Sequence, residues 1–212
     1  KTIENQNKNY QNKENQVSAT TQDILNTDYI LHVGTLEKRK NLPALIRAFK
    51  MVQQSGFPNL KLVLVGKASN KKTLDDSSAI TDAINQEQLS RDVVLTGHLN
   101  DAEVQVIYQK AKLYVFPSIN EGFGIPVLEA FKYKVPVVIA NNTCLPEVAG
   151  LGAKSFDPFE VTDIAQAITL LLNDETLGQS YIEKGNAQLQ NFSWKKTAGS
   201  LMQLFKKAVA DS

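Results

Sequence analysis

Six short apolar runs separated by amphipathic stretches constrain this chain more than any other feature. The runs occupy residues 29–33, 60–65, 93–96, 113–116, 136–140 and, more weakly, 153–156. The second reads Leu-Lys-Leu-Val-Leu-Val and the fifth Pro-Val-Val-Ile-Ala. Strands covered on both faces carry such near-continuous apolar runs, whereas half-exposed strands alternate. Helical periodicity fills the gaps, at 42–54 (Leu42, Leu45, Ile46, Phe49, Val52), 72–89, 101–110, 126–133 and 161–172. Two further helices are expected near 175–190 and 194–209. Strand and helix in strict alternation mean crossover connections and a parallel sheet. The expected fold class is therefore α/β, a doubly wound, Rossmann-like parallel sheet. Ligands of such sheets sit outside the carboxyl ends of the strands, at the switch point, so the loops after strands are where function is sought.

The first 27 residues differ from this pattern. Ten of them are Asn or Gln, which leaves too little apolar surface to offset the entropy of ordering. Residues 1–27 are expected to be a polar linker or arm, and 28–212 the folded domain. With 23 Lys and Arg against 22 Asp and Glu, the chain lacks the basic excess of a nucleic-acid binder. One cysteine excludes an internal disulfide framework and any Cys-rich zinc site, and two histidines leave little for a His-based metal cage. No apolar run has the length of a membrane span. The opening residues are polar, so they do not read as a signal peptide.

Several familiar loops fail on spacing. Gly66-Lys67 follows a strand, but a phosphate loop of the Walker type needs glycine where Lys61 stands and Ser or Thr where Ala68 stands. Gly122-Phe123-Gly124 opens like a dinucleotide fingerprint, yet Val127 holds the third glycine's place. No Gly-x-Ser-x-Gly elbow occurs, and Cys144 reads as a small buried or turn residue.

The segment 117–130 fits better. It reads Pro-Ser-Ile-Asn-Glu-Gly-Phe-Gly-Ile-Pro-Val-Leu-Glu-Ala and directly follows a strand. Two glycines permit a tight turn, and Pro126 suits a first helical turn. A helix that starts there points free N–H groups at the crevice, which makes an anion site. Glu121 precedes the helix and Glu129 lies about one turn inside it, so both can face one ligand. The competing reading makes Glu129 a solvated helix residue and the glycines plain turn residues.

The wider pattern supports the first reading. Glu121 and Glu129 form Glu-x7-Glu, flanked by Val115-Phe116-Pro117-Ser118, Val135-Pro136-Val137-Val138, Leu145-Pro146-Glu147-Val148 and Phe156-Asp157-Pro158. Upstream stand Gly34-Thr35-Leu36-Glu37-Lys38-Arg39-Lys40-Asn41 and Thr96-Gly97-His98-Leu99. In this order the motifs resemble the carboxyl-terminal, donor-binding lobe of the retaining "group 1" family of GT-B glycosyltransferases, mannosyltransferases in particular. The likeness runs over residues 28–172 and more loosely to 205.

The resemblance implies roles. Glu121 stands beside the donor sugar as the catalytic carboxylate, and Glu129 holds the ribose. The amides of Gly122, Phe123, Gly124 and Ile125 cradle the pyrophosphate, and Lys40 meets it. Gly34 belongs to the first strand's turn, and Gly97 with His98 form a wall near the base, through backbone rather than imidazole. Many members carry Arg where Thr35 stands here. Arg39 is the candidate for that second charge, with a solvated surface role as its alternative. The implied partner is a nucleotide diphosphate sugar, GDP-mannose ahead of UDP-sugars, used without a cofactor or metal. The implied activity is hexosyl transfer in polysaccharide biosynthesis. A missing N-terminal lobe would hold the acceptor, and alone this lobe is expected to be inactive. A cytoplasmic location is implied, with any contact at the inner membrane face peripheral and made through the missing lobe. The alternatives are a catalytically silent nucleotide-sugar-binding module and a GT-B epimerase. Two carboxylates also fit glycoside hydrolysis, but that would leave the phosphate cradle idle.

Overall fold

The computed structural model describes residues 17–210. Its strands are β1 (Tyr29–Val33), β2 (Lys61–Val65), β3 (Val93–Gly97), β4 (Leu113–Phe116), β5 (Val137–Ala140) and β6 (Lys154–Phe156). All pair in parallel, in the order β3-β2-β1-β4-β5-β6. The order reverses between β1 and β4, as a doubly wound Rossmann-like sheet requires. Every side chain of β4 and β5 is buried, which explains their unbroken apolar runs.

The helices are α1 (Ala19–Leu25), α2 (Leu42–Gln54), α3 (Ser77–Gln86), α4 (Asp101–Lys110), α5 (Ile125–Lys132), α6 (Leu145–Ala149), α7 (Val161–Asn173), α8 (Glu175–Leu189) and α9 (Trp194–Ala210). On one side α2 packs against α3 and α7. On the other, α5 packs against α6 and α8, and α1 against α4. Asn100 caps α4, accepting from the Ala102 and Glu103 amides, while Glu103 takes the Asn100 N–H in return.

Two expectations need correcting, and one helix was not expected. Residues 1–16 lie outside the described residues, but the rest of the supposed arm contains α1, which belongs to the fold. Ile24 and Thr21 are buried there, and Glu103 accepts from the Ser18 amide and the Thr21 hydroxyl at 3.0 Å each. The folded unit therefore begins before residue 28. The helix expected at 72–89 spans only Ser77–Gln86. Its first residues instead strap onto the loop after β1, where Leu74 O accepts from Lys38 N and Leu36 O from Asp76 N. Asp75 accepts from Ser69 N and Ser77 Oγ there, and is half-buried. Finally, α6 fills a stretch where sequence periodicity was too short to read as a helix.

Helix α9 is exposed over residues 194–209, with Trp194 at 83% and Phe205 at 57%. Among the described residues no helix is long and apolar enough to cross a membrane.

Candidate nucleotide-sugar site

The switch point between β1 and β4 brings two loops together. Main chain joins them: Ile119 N–H donates to Arg39 O at 2.8 Å. A single 3-10 turn, Lys38–Lys40, closes with Asn41 in the left-handed region (φ 56°). Asparagine tolerates that conformation, and its Nδ2 donates to Pro158 O at 2.7 Å. This turn sends Lys40 inward, where only 4% of it is exposed.

Lys40 Nζ lies 2.7 Å from Glu121 Oε1 and 4.7 Å from the Phe116 ring centroid. Arg39 Nη1 reaches the same Oε1 at 2.7 Å, and its Nε bonds Glu37 Oε2 at 2.8 Å. Ser69 Oγ donates to the other Glu37 oxygen. Burial pulls the Lys40 ammonium below the usual lysine range, and the Glu121 hydrogen bond and charge pull back. Removing one partner of such a desolvated pair typically costs about 3–5 kcal/mol, because the other charge is left buried and unpaired. Both cations meet Oε1, and among the described residues no hydrogen bond reaches Glu121 Oε2. The next loop supports this one, since Cys144 Sγ donates to Glu121 O at 3.3 Å and Asn142 Nδ2 to Ile119 O at 3.0 Å.

Helix α5 begins after Gly124, whose φ is +95°. A Cβ there would stand 2.8 Å from Leu145 Cδ2, so both conformation and packing require glycine. Pro126 sits in the first turn. The N–H groups of Gly122, Phe123, Gly124 and Ile125 find no acceptor among the described residues. Phe123's ring turns away, edge-on to Phe192 with 5.8 Å between centroids. One turn into α5, Glu129 Oε2 accepts from Tyr108 OH at 3.2 Å. Tyr108 is fully buried, between Tyr114 and Tyr133. Glu129 also borders a groove of about 580 Å³, lined by Phe123, Leu128, Leu189 and Trp194.

The structure thus brings Lys40, Arg39 and Glu121 into direct contact, with Gly34 against the Lys40 side chain and residues 122–125 following in the same loop. Gly97 and His98 stand apart, at the end of β3, two strands from β1. Gly97 O accepts from Gly66 N, and His98 is exposed. Among the described residues no hydrogen bond or ion pair joins them directly to Lys40, Arg39 or Glu121; Gly97 reaches that cluster only through Gly66, which abuts Gly34. Sequence reading missed Glu37, Tyr108 and His32. The signal for His32 was one polar residue inside an apolar strand. Glu37 and Tyr108 gave none, because their roles are set by partners distant in sequence. No group of three or more His, Cys, Asp or Glu among the described residues could hold a metal ion.

The strand order and what gathers at its reversal define a class, a Rossmann-like α/β domain of the kind that forms one lobe of a GT-B glycosyltransferase. The family model "Glycosyl transferases group 1" matches residues 14–188. The chain belongs to that family. It is homologous to mannosyltransferases, being 32% identical over 186 residues to the serotype-specific mannosyltransferase WbdA of Escherichia coli, covering 87% of this chain and 22% of WbdA. It is 31% identical over 178 residues to O-antigen chain mannosyltransferase B of Escherichia coli, covering 84% of this chain and 45% of that protein. The chain therefore spans less than half the length of these relatives. Among solved structures it resembles the C-terminal domain of a group 1 family glycosyl transferase, LpcC, from Francisella tularensis. The TM-score is 0.67 and the identity 21%, over 78% of this chain and 85% of that one. This likeness is one of fold, and it matches the expected C-terminal lobe.

Proposed function

We propose that this domain is the donor-binding lobe of a retaining hexosyltransferase that takes mannose from GDP-mannose, with UDP-sugars as the second choice. The observation that carries the reading is the desolvated Lys40–Glu121 pair, with the partly exposed Arg39 on the same carboxylate oxygen, beside the unpaired amides of residues 122–125. Breaking a sugar–diphosphate bond leaves the electron pair on the departing phosphate. Preorganised cations and amides stabilise that charge. Lys40, Arg39 and the start of α5 are the groups proposed for this, and they supply the positive charge that a divalent ion would otherwise bring. Glu121, the proposed catalytic residue, turns its free oxygen to the donor sugar's hydroxyls. Glu129, with one oxygen held by Tyr108, offers the other to the ribose hydroxyl pair. Gly97 and His98 are proposed to border the base in the bound state. The two mannosyltransferase relatives support mannose as the sugar. The acceptor is proposed to bind a second lobe, and a cytoplasmic site of action is proposed with it.

Calorimetry of this chain with GDP-mannose, UDP-glucose and UDP-N-acetylglucosamine tests the reading. GDP-mannose is expected to bind most tightly, with affinity unchanged by EDTA. No binding of any of the three would overturn the reading, and a preference for a UDP-sugar would overturn the donor assignment. Retention is read from the anomeric proton of the product formed by a protein that also carries the acceptor lobe.

A further inference from the structure

His32 is the fourth residue of β1 and is fully buried. Its ring stacks near Tyr114 and Phe116, at 6.4 and 5.8 Å between centroids. Nδ1 lies 3.0 Å from Val115 O. A carbonyl oxygen only accepts, so Nδ1 carries the proton and the neutral ring presents a bare lone pair at Nε2. Among the described residues nothing donates to Nε2. A buried acceptor left unpaired calls for an explanation.

Gly34 shows where that lone pair lies. A Cβ on Gly34 would stand 3.2 Å from His32 Nε2, 3.3 Å from Lys40 Cε and 3.4 Å from Lys40 Nζ. The imidazole edge and the ammonium therefore border one small space, kept open because residue 34 has no side chain. Lys40 gives one N–H to Glu121, and an ammonium has three.

We propose that His32 is a positioning residue for Lys40, its Nε2 accepting a Lys40 N–H across the Gly34 gap when a nucleoside diphosphate draws the ammonium away from Glu121. This rests on the reading above that Lys40 meets the diphosphate. The chemistry favours an imidazole for the task. A carboxylate partner cancels the charge of the ammonium, whereas a neutral lone pair holds it in place and leaves the full charge for phosphate. The ring stays neutral there because burial and the Lys40 charge both oppose its protonation.

The chain has two histidines, and His98 is exposed, so ¹⁵N-histidine labelling gives two ring systems that His98→Gln assigns. On titration with GDP, the His32 Nε2 resonance is expected to move in the direction of an engaged lone pair while Nδ1 stays protonated. Guanosine should leave it in place. In calorimetry His32→Phe should lose GDP affinity about tenfold, the scale of one hydrogen bond to a charged group, with guanosine little changed. His32→Gln, whose amide oxygen extends to a similar position, should recover most of it. An Nε2 resonance that GDP does not move overturns the inference, and that measurement needs only the wild-type fold. GDP binding by His32→Phe at wild-type strength also overturns it. If Lys40→Ala still loses GDP selectively in those cases, the reading of Lys40 stands and only the role of His32 falls. If Lys40→Ala binds GDP normally, both fall together.

Discussion

Lys40 is a cation almost without access to water, and its energy depends on what replaces the water. In the structure that is Glu121; on the proposed reading it is a diphosphate when donor binds. Lys40→Ala should therefore weaken GDP by about 1.5–3 kcal/mol and guanosine far less. Equal loss for both ligands in calorimetry would make Lys40 a shaper of the pocket instead. The two glutamates should separate. Glu129→Gln keeps size and an acceptor but loses charge, and should weaken GDP by about 1 kcal/mol or more. Glu121→Gln should spare GDP and impair transfer, measured in a protein that carries both lobes. GDP binding abolished by Glu121→Gln and untouched by Glu129→Gln would reverse the assignment. His32 adds a pH signature. Its pKa falls from 6.5 to about 3, chiefly through burial. Between those values the unfolded chain binds a proton that the fold does not. Stability is thus full above pH 6.5 and falls with pH at ~1.4 kcal/mol per unit down to about 3. Denaturant unfolding from pH 7 to 5 should show this slope, and His32→Phe should flatten it. Glu121 and Glu129 could be picked out as candidates in sequence because they stand in the loop and at the helix start after a strand, whereas Lys40 entered only through the family resemblance. Tyr108 and His32 were not picked out, because apolar periodicity assigns such positions to the core whether or not an edge of the ring does chemistry.

At the scale of elements, the strands and most helices could be read from period alone, since a sheet covered on both faces writes itself as unbroken apolar runs. The segment before α3 misled because its polarity fits an exposed helix turn as well as a strap. Its true partners, Leu36 and Lys38, lie more than thirty residues away. Helix α1 was hidden for a related reason. Its anchoring rests on Ile24, Thr21 and a carboxylate on α4 rather than on an apolar stripe. Close approach of helices is equally invisible to periodicity. A Cβ on Gly185 of α8 would stand 2.5 Å from the Phe131 ring of α5, and one on Gly152 would stand 2.6 Å from Gly185 Cα. Gly185→Ala should therefore destabilise the domain by about 1–3 kcal/mol in denaturant unfolding, through overpacking. An unchanged midpoint would mean that α8 slides on α5 at no cost. Because α5 also carries Glu129, the same variant is expected to bind GDP less well in calorimetry.

For the molecule as a whole, the fold gathers Lys40, Arg39 and Glu121 at one end of the sheet and leaves α9 exposed. The chain is expected to bind GDP-mannose and yet not transfer the sugar repeatedly, since positioning an acceptor and excluding water are proposed to need a second lobe. Mass spectrometry of a long incubation with donor and candidate acceptor glycans checks this, and multiple-turnover transfer by the 212-residue chain would refute it. The bond from Ile119 N–H to the Arg39 carbonyl has a different consequence. It runs from main chain to main chain, so among exchanges at these two positions only proline at 119 deletes its donor. Other exchanges of the Arg39 and Ile119 side chains therefore leave this fastening between the two loops chemically in place. The two loops that meet at the sheet's reversal are thus held in register by the backbone itself, like a hem sewn beneath the pattern of the cloth.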